Sequence, residues 1–140
     1  MIRTFIDSGV LIAAARSSGS VSDRALKILE DENRVFISSI FVRLEVLPKS
    51  VCYRKVAEVE FYQAFFDSVE YWARDLEGLV EEAYQIASQY GLSAIDGIHV
   101  ASAILMGADE MITTERSTKP MHQVKGVNVI SIAACDYDDR

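Results

Sequence analysis

The chain has 140 residues, half of them hydrophobic, so it can bury the core of one domain without disulfides or a structural metal. Its formal net charge of −7 argues against a protein that binds nucleic acid through a broadly basic surface. A polyanionic partner would therefore require bound cations or a local basic strip. No apolar run reaches the roughly 20 residues of a membrane-spanning helix. Cys52 and Cys135 belong to no metal-binding or redox motif, and we expect a reduced cytoplasmic protein.

Strand-like and helix-like segments alternate along the chain. In chain order, the patterns predict a strand (1–6), helices (10–15 and 21–30), a strand (34–38), helices (41–48 and 54–66), a strand (68–72), helices (76–90 and 94–106) and two strands (111–114 and 127–132). Ser38 or Ser39 can cap the third helix, and Pro48 is expected to end or kink it. Gly91 and Gly107 are placed to end the last two helices.

This order of elements is typical of an α/β fold with parallel strands joined by helical crossovers. We expect a three-layer α/β/α sandwich around a mostly parallel sheet of roughly five strands. A single domain should cover residues 1–135, and residues 136–140 should form a polar tail. In such a fold, ligands bind beyond the carboxyl ends of the strands.

Four acidic residues are candidates for that edge of the sheet. Asp7 directly follows the first strand, and Glu115 follows the fourth. Glu45 borders the apolar positions of its helix, where a carboxylate is costly unless something compensates its charge. Asp96 lies in the first turn of the last helix, where the helix dipole favours an anion. Four separate elements thus bring four carboxylates to one plausible site.

Clustered carboxylates repel one another unless divalent cations are bound between them. Oxygen ligands without thiolates favour Mg²⁺ or Mn²⁺ over zinc. Such ions can bridge a phosphodiester to the protein, activate a water for in-line attack and stabilise the leaving oxygen. The pattern therefore predicts a divalent-metal site that could support phosphodiester hydrolysis, with Asp7, Glu45, Asp96 and Glu115 as candidate catalytic metal ligands.

Each acid also has a simpler interpretation. Asp7 could be only a helix cap, Asp96 only a complement to the helix dipole, and Glu45 and Glu115 only solvated polar residues. His99 follows Asp96 by one helical turn and could support the site, although a structural histidine is the commoner case. We leave it outside the predicted site.

Three basic residues are candidates to contact substrate phosphates. Arg116 and Lys119 follow the fourth predicted strand, and Arg16 lies beyond the first helical segment. Such contacts would relieve the charge problem, although arginine and lysine on loops are usually only solvated.

Four segments resemble the PIN-domain family in their order and spacing, and in particular the VapC-type toxin ribonucleases of toxin–antitoxin pairs. They are residues 5–12, 42–47, 92–103 and 111–115. The resemblance covers nearly the whole chain. It implies a parallel-sheet sandwich, single-stranded RNA as substrate, Mg²⁺ or Mn²⁺ as cofactor, an antitoxin protein as partner and frequent homodimers.

The resemblance also implies roles for individual residues. Asp7, Glu45 and Asp96 match the three acids most closely tied to metal binding in the family. Supporting positions are Ser8, which matches the hydroxyl residue after the first acid, and Thr113, which matches the threonine that ends the fourth strand.

Two positions depart from the family pattern. Gly9 stands where many relatives carry Asn, and Glu115 stands where Asp is usual. The longer side chain of Glu115 makes it the weakest of the four matches, because it could reach a metal only through water or take no part.

Two other functions compete with a metal-dependent nuclease. An aspartyl phosphatase or a receiver domain would need further acids near Asp7 that the chain lacks at the expected places. A non-catalytic PIN-fold module that binds RNA or protein is the more serious alternative, because the departure at Glu115 leaves room for it.

Overall fold

A five-stranded parallel sheet organises the part of the chain that the structure, a computed structural model, describes: residues 1–16 and 18–133. Its strands are β1 (Ile2–Ile6), β2 (Arg34–Ser39), β3 (Tyr71–Ala73), β4 (Glu110–Thr113) and β5 (Asn128–Ser131). Their order across the sheet is β3-β2-β1-β4-β5, and all four neighbouring pairs are parallel. The predicted tail 136–140 and Cys135 lie outside the described residues.

Pairs of helices connect the first four strands. They are α1 (Ser8–Arg16), α2 (Ser20–Leu29), α3 (Ile40–Cys52), α4 (Val56–Ser68), α5 (Leu76–Tyr90) and α6 (Ala94–Leu105), and a short 3-10 helix (Pro120–Gln123) precedes β5. The chain turns back after β3, so β1 and β4 become neighbours at the centre of the sheet. This position is the topological switch point, where the crevice for ligands opens in α/β sheets.

Local sequence explains where the helices begin and end. Ser39, Asp75 and Ser93 cap α3, α5 and α6 with side-chain oxygens that accept backbone N–H groups. Gly91 ends α5 at φ 74°, a left-handed conformation that glycine adopts without a steric penalty. These signals account for the close agreement between the predicted and observed bounds of α5 and α6.

The sheet is covered by helices on both faces, which confirms the predicted three-layer α/β/α sandwich. Helix α6 packs on β1, β2 and β4 together with α5, while α1 packs with α2, α3 and α4. Buried apolar side chains from the central strands fill the space between the layers, among them Phe5, Ile6, Ile37, Met111 and Ile112. Among the described residues, no helix has both the length and the apolar character needed to cross a membrane.

Two predicted elements differ from the structure. Pro48 was expected to end or kink helix α3; the helix continues through Pro48 to Cys52, so Pro48 does not end it. The proline frees the carbonyl of Leu44, whose side chain is 68% exposed, and water can satisfy a carbonyl on that outer face. Strand β3 begins at Tyr71, not at 68, because α4 extends to Ser68.

Candidate active site

The site lies at the switch point, where β1 and β4 end side by side. Asp7 follows β1 and is 7% exposed, and Thr113 is the last residue of β4. The Thr113 hydroxyl donates a hydrogen bond of 2.8 Å to Asp7 Oδ2. The backbone N–H of Asp7 also bonds to Ile112 O at 3.0 Å. The parallel pairing of two central strands therefore fixes the first predicted acid and one predicted supporting residue together.

Glu45 reaches the same site from α3. Its neighbours Val42 and Val46 are buried, and they orient this side of the helix toward the core. Ser8, in the first turn of α1, donates its hydroxyl to Glu45 Oε1 at 2.5 Å. The structure thus brings Ser8, the residue after Asp7, into contact with Glu45, while the roles of these residues remain a prediction.

His99 lies at the centre of the cluster, and the sequence interpretation left it out. The side chain is on α6, one turn after Asp96, and is 1% exposed. Its Nε2 lies 2.5 Å from Glu45 Oε1, 3.5 Å from Ser8 Oγ and 3.8 Å from Asp7 Oδ1. The three-residue spacing from Asp96 was the available signal, because residues i and i+3 share one face of a helix.

Asp96 occupies the first turn of α6 and is partly buried. Its backbone N–H bonds to the capping hydroxyl of Ser93 at 3.2 Å. Its charge is close enough to Asp7 to raise the pKa of that carboxyl. Asp96 therefore lies near Asp7 as a second anion, which is the relationship expected of two ligands that share a cation.

Burial and hydrogen bonds act in opposite directions on the two central acids. Desolvation raises the pKa of Asp7 above its ordinary 3.8, against the lowering effects of His99 and Thr113. The pKa of Glu45 is lowered, mainly by the hydrogen bond with His99, with a further contribution from Ser8. The site thus combines one carboxylate that is costly to ionise with one that its partners keep ionised.

Glu115 lies just beyond this cluster. Its backbone N–H bonds to Thr113 Oγ1 at 3.1 Å, and its carbonyl contacts His122 Nε2 at 3.1 Å. Within the described part of the chain, its carboxylate has no hydrogen-bond or ion-pair partner. The structure therefore places Glu115 at the correct strand end without joining its carboxylate to the other three acids.

The three predicted phosphate-binding residues are in different environments. Arg116 and Lys119 are exposed in the segment after β4, on the side of the sheet where the acids lie. Arg16 is at the far end of α1 and pairs with Glu58 at 3.2 Å. The charge of Arg16 is thus already engaged, so Arg116 and Lys119 are the better placed candidates.

The chemistry of these residues suits a hard divalent cation, because the donors are carboxylate oxygens and one of them is buried against a second anion. The side chains do not form a closed cage as they stand. Within residues 1–16 and 18–133, no three His, Cys, Asp or Glu side chains are arranged to hold one metal ion. Glu45 is instead hydrogen-bonded to His99 and Ser8.

Comparison with known protein families identifies the family of this chain. The PIN domain family model matches residues 4–119. No curated protein is similar enough to this sequence to count as a match.

Several solved structures share the fold. A toxin–antitoxin complex from Klebsiella pneumoniae is 18% identical with a TM-score of 0.68, over 92% of this chain and 97% of that chain. A DNA-bound VapBC from Salmonella typhimurium is 11% identical with a TM-score of 0.64, over 95% and 100% of the two chains. VapBC2 from Rickettsia felis, bound to a promoter fragment, is 14% identical with a TM-score of 0.61, over 93% and 98%. The parallel sheet and the acids at its switch point agree with the family match. The chain therefore belongs to the PIN-domain family, as the match over residues 4–119 shows.

Proposed function

We propose that the protein is a metal-dependent endoribonuclease that cleaves single-stranded RNA, and that it is the toxin of a toxin–antitoxin pair. The observation that supports the enzymatic part is the buried Asp7 at the switch point, with Asp96 as a neighbouring anion and with Glu45 connected to the same cluster through His99. Burying Asp7 beside a second anion weakens the fold unless a cation compensates it. A protein keeps such an arrangement where function requires it.

Asp7, Glu45 and Asp96 would hold Mg²⁺ or Mn²⁺, with Glu115 as a fourth, outer ligand. The bound ion would activate a water and offset the negative charge of the phosphodiester. Thr113 fixes the orientation of Asp7, and Ser8 fixes that of Glu45. The chain would thus supply positioned oxygen ligands, and the bound cation would reconcile its acidity with a polyanionic substrate.

The substrate would meet positive charge from the segment that follows β4. Arg116 and Lys119 are exposed there, next to the acid-bearing edge of the sheet. We propose that they contact phosphates on either side of the cleaved bond, because such contacts position an RNA strand without reading its sequence. The location of the protein in the cytoplasm, where RNA would be available, remains a prediction.

The proposed partners are an antitoxin protein and a second copy of the chain. The similar structures include toxin–antitoxin complexes, which supports the first. The second is supported by an apolar stripe on α5, where Leu76, Val80 and Tyr84 are about half exposed or more. The same stripe on two copies could pack across a twofold axis. Light scattering of the wild type and of Val80→Lys tests this, since the proposal predicts a dimer that the substitution weakens.

RNA cleavage by the purified protein is the test of the proposed activity. The wild type and an Asp7→Asn/Asp96→Asn variant are incubated with a panel of single-stranded RNAs in Mn²⁺ or Mg²⁺. The proposal predicts cleavage that EDTA and the double substitution both abolish. Cleavage that persists in EDTA would contradict it, and RNA binding without cleavage would support the non-catalytic alternative.

The toxin assignment has its own test. High expression should arrest growth, and a small protein encoded beside this one should reverse the arrest. Unimpeded growth would overturn the toxin assignment and leave the nuclease proposal standing.

A further inference from the structure

His99 is a buried histidine next to the candidate metal ligands, and its hydrogen-bonding pattern indicates a specific role. The ring packs against Phe5, with 5.9 Å between ring centroids, which limits its movement. Its Nδ1 is buried and has no hydrogen-bond partner among the described residues. A proton on Nδ1 would therefore be buried without an acceptor, so the neutral ring keeps its proton on Nε2. That proton is directed at Glu45.

Both donors at Glu45 use the same carboxylate oxygen. The donor atoms, Nε2 of His99 and Oγ of Ser8, each lie 2.5 Å from Oε1. In the described part of the chain, Oε2 has no hydrogen-bond partner. The carboxylate is therefore held by one oxygen, and the other remains available as an acceptor.

Without these two bonds, Glu45 would be a flexible side chain on the surface of α3. Its side chain is 36% exposed, and glutamate has many rotamers when it is not restrained. Donors that fix a carboxylate ligand before the metal arrives reduce the entropic cost of binding. His99 comes from α6, the helix that carries Asp96, so it also sets Glu45 relative to that acid.

We propose that His99 is a positioning residue, which holds Oε1 of Glu45 so that Oε2 is presented to the divalent cation. The inference rests on the proposed function, because it assumes that Glu45 is a metal ligand. His99 acts through Glu45 and contacts neither metal nor RNA. Loss of such a supporting donor typically weakens metal binding about 10- to 100-fold.

The test compares His99→Gln with His99→Leu by Mn²⁺ titration without RNA, using the electron paramagnetic resonance signal of the free ion. The glutamine amide can place an N–H near the position of Nε2, whereas leucine fills similar space with no donor. We expect His99→Leu to weaken Mn²⁺ binding about 10-fold or more and His99→Gln to stay within about threefold of the wild type. Equal affinity in folded His99→Leu and wild type would overturn the proposal.

The position of the proton on the His99 ring can be measured in the unmodified protein, even if His99→Leu does not fold. Long-range ¹H–¹⁵N NMR spectra report which ring nitrogen carries the proton. We expect it on Nε2 of His99, with a shift that changes in Glu45→Gln. A proton on Nδ1 would overturn the proposal. A wild type that binds no Mn²⁺ would instead contradict the proposed function, so the two failures are distinguishable.

Discussion

Replacing Asp7 by Asn should stabilise the metal-free protein. The carboxylate of Asp7 is buried, and desolvation raises its pKa above 3.8, with a further rise from Asp96. A raised pKa in the folded state contributes stability that is complete below pH 3.8 and is lost as the pH rises through the folded value. At neutral pH the ionised group therefore opposes folding, and the neutral amide of Asn removes that penalty.

The size of the effect follows from the surroundings of the carboxylate. Imperfectly compensated burial of a polar group costs about 1–3 kcal/mol, and the hydrogen bond from Thr113 offsets part of it here. We therefore expect Asp7→Asn to raise the free energy of unfolding by about 1–2 kcal/mol at pH 7. For a chain of this length, that corresponds to an increase in Tm of about 3–8 °C.

Calorimetry in EDTA between pH 4 and pH 8 measures this effect. The gain in Tm should shrink as the pH falls toward 3.8, because Asp7 becomes protonated in the folded state and the penalty of burying its charge disappears. Asp67→Asn, at an exposed position on α4, is the matched control and should change Tm little. A decrease in Tm for Asp7→Asn at pH 7 would refute the reasoning, because the charge would then be stabilising without metal.

Three further predictions concern other contacts. A Cβ at Gly9 would overlap Thr114 Oγ1, so Gly9→Ala should lower the free energy of unfolding by about 1–3 kcal/mol in chemical denaturation. Adding Thr114→Ala should restore most of that stability. An equal loss of stability in the double variant would contradict this explanation. Glu110 pairs with Arg34 at 2.8 Å in a largely buried setting, so Glu110→Ala should cost about 2–4 kcal/mol, and a loss under 1 kcal/mol would show that water compensates Arg34. Arg116→Ala with Lys119→Ala should weaken RNA binding and reduce its salt dependence, whereas unchanged binding would remove both from the RNA-contacting surface.

Much of the fold was predictable because local signals and hydrophobic periodicity agree. Helix α5 shows this well: Asp75 caps its start, Gly91 ends it, and apolar residues recur along the face that meets the core. The extent of α3 was not predictable, since the cost of Pro48 depends on whether the freed carbonyl faces water. Strand β3 is short because it pairs only with the last residues of β2, and a single sequence does not reveal that pairing.

The candidate site was predictable where strand ends determine position. Asp7 and Thr113 meet because neighbouring parallel strands end at the same edge. The central position of His99 was not predictable, since it depends on contacts with Ser8 on α1 and Glu45 on α3, which are distant in sequence. Helical spacing placed it beside Asp96 but gave no information about what lies across the crevice.

The chemical ends of the RNA products test the central claim most directly. Attack by a metal-activated water breaks one P–O bond and leaves one product with a terminal phosphate monoester and the other with a hydroxyl. Mass spectrometry of the products formed in Mn²⁺ should show these ends, with no cleavage in EDTA. Products that carry a 2′,3′-cyclic phosphate and form equally in EDTA would contradict the account, because they would show attack by the RNA's own 2′-hydroxyl without a metal.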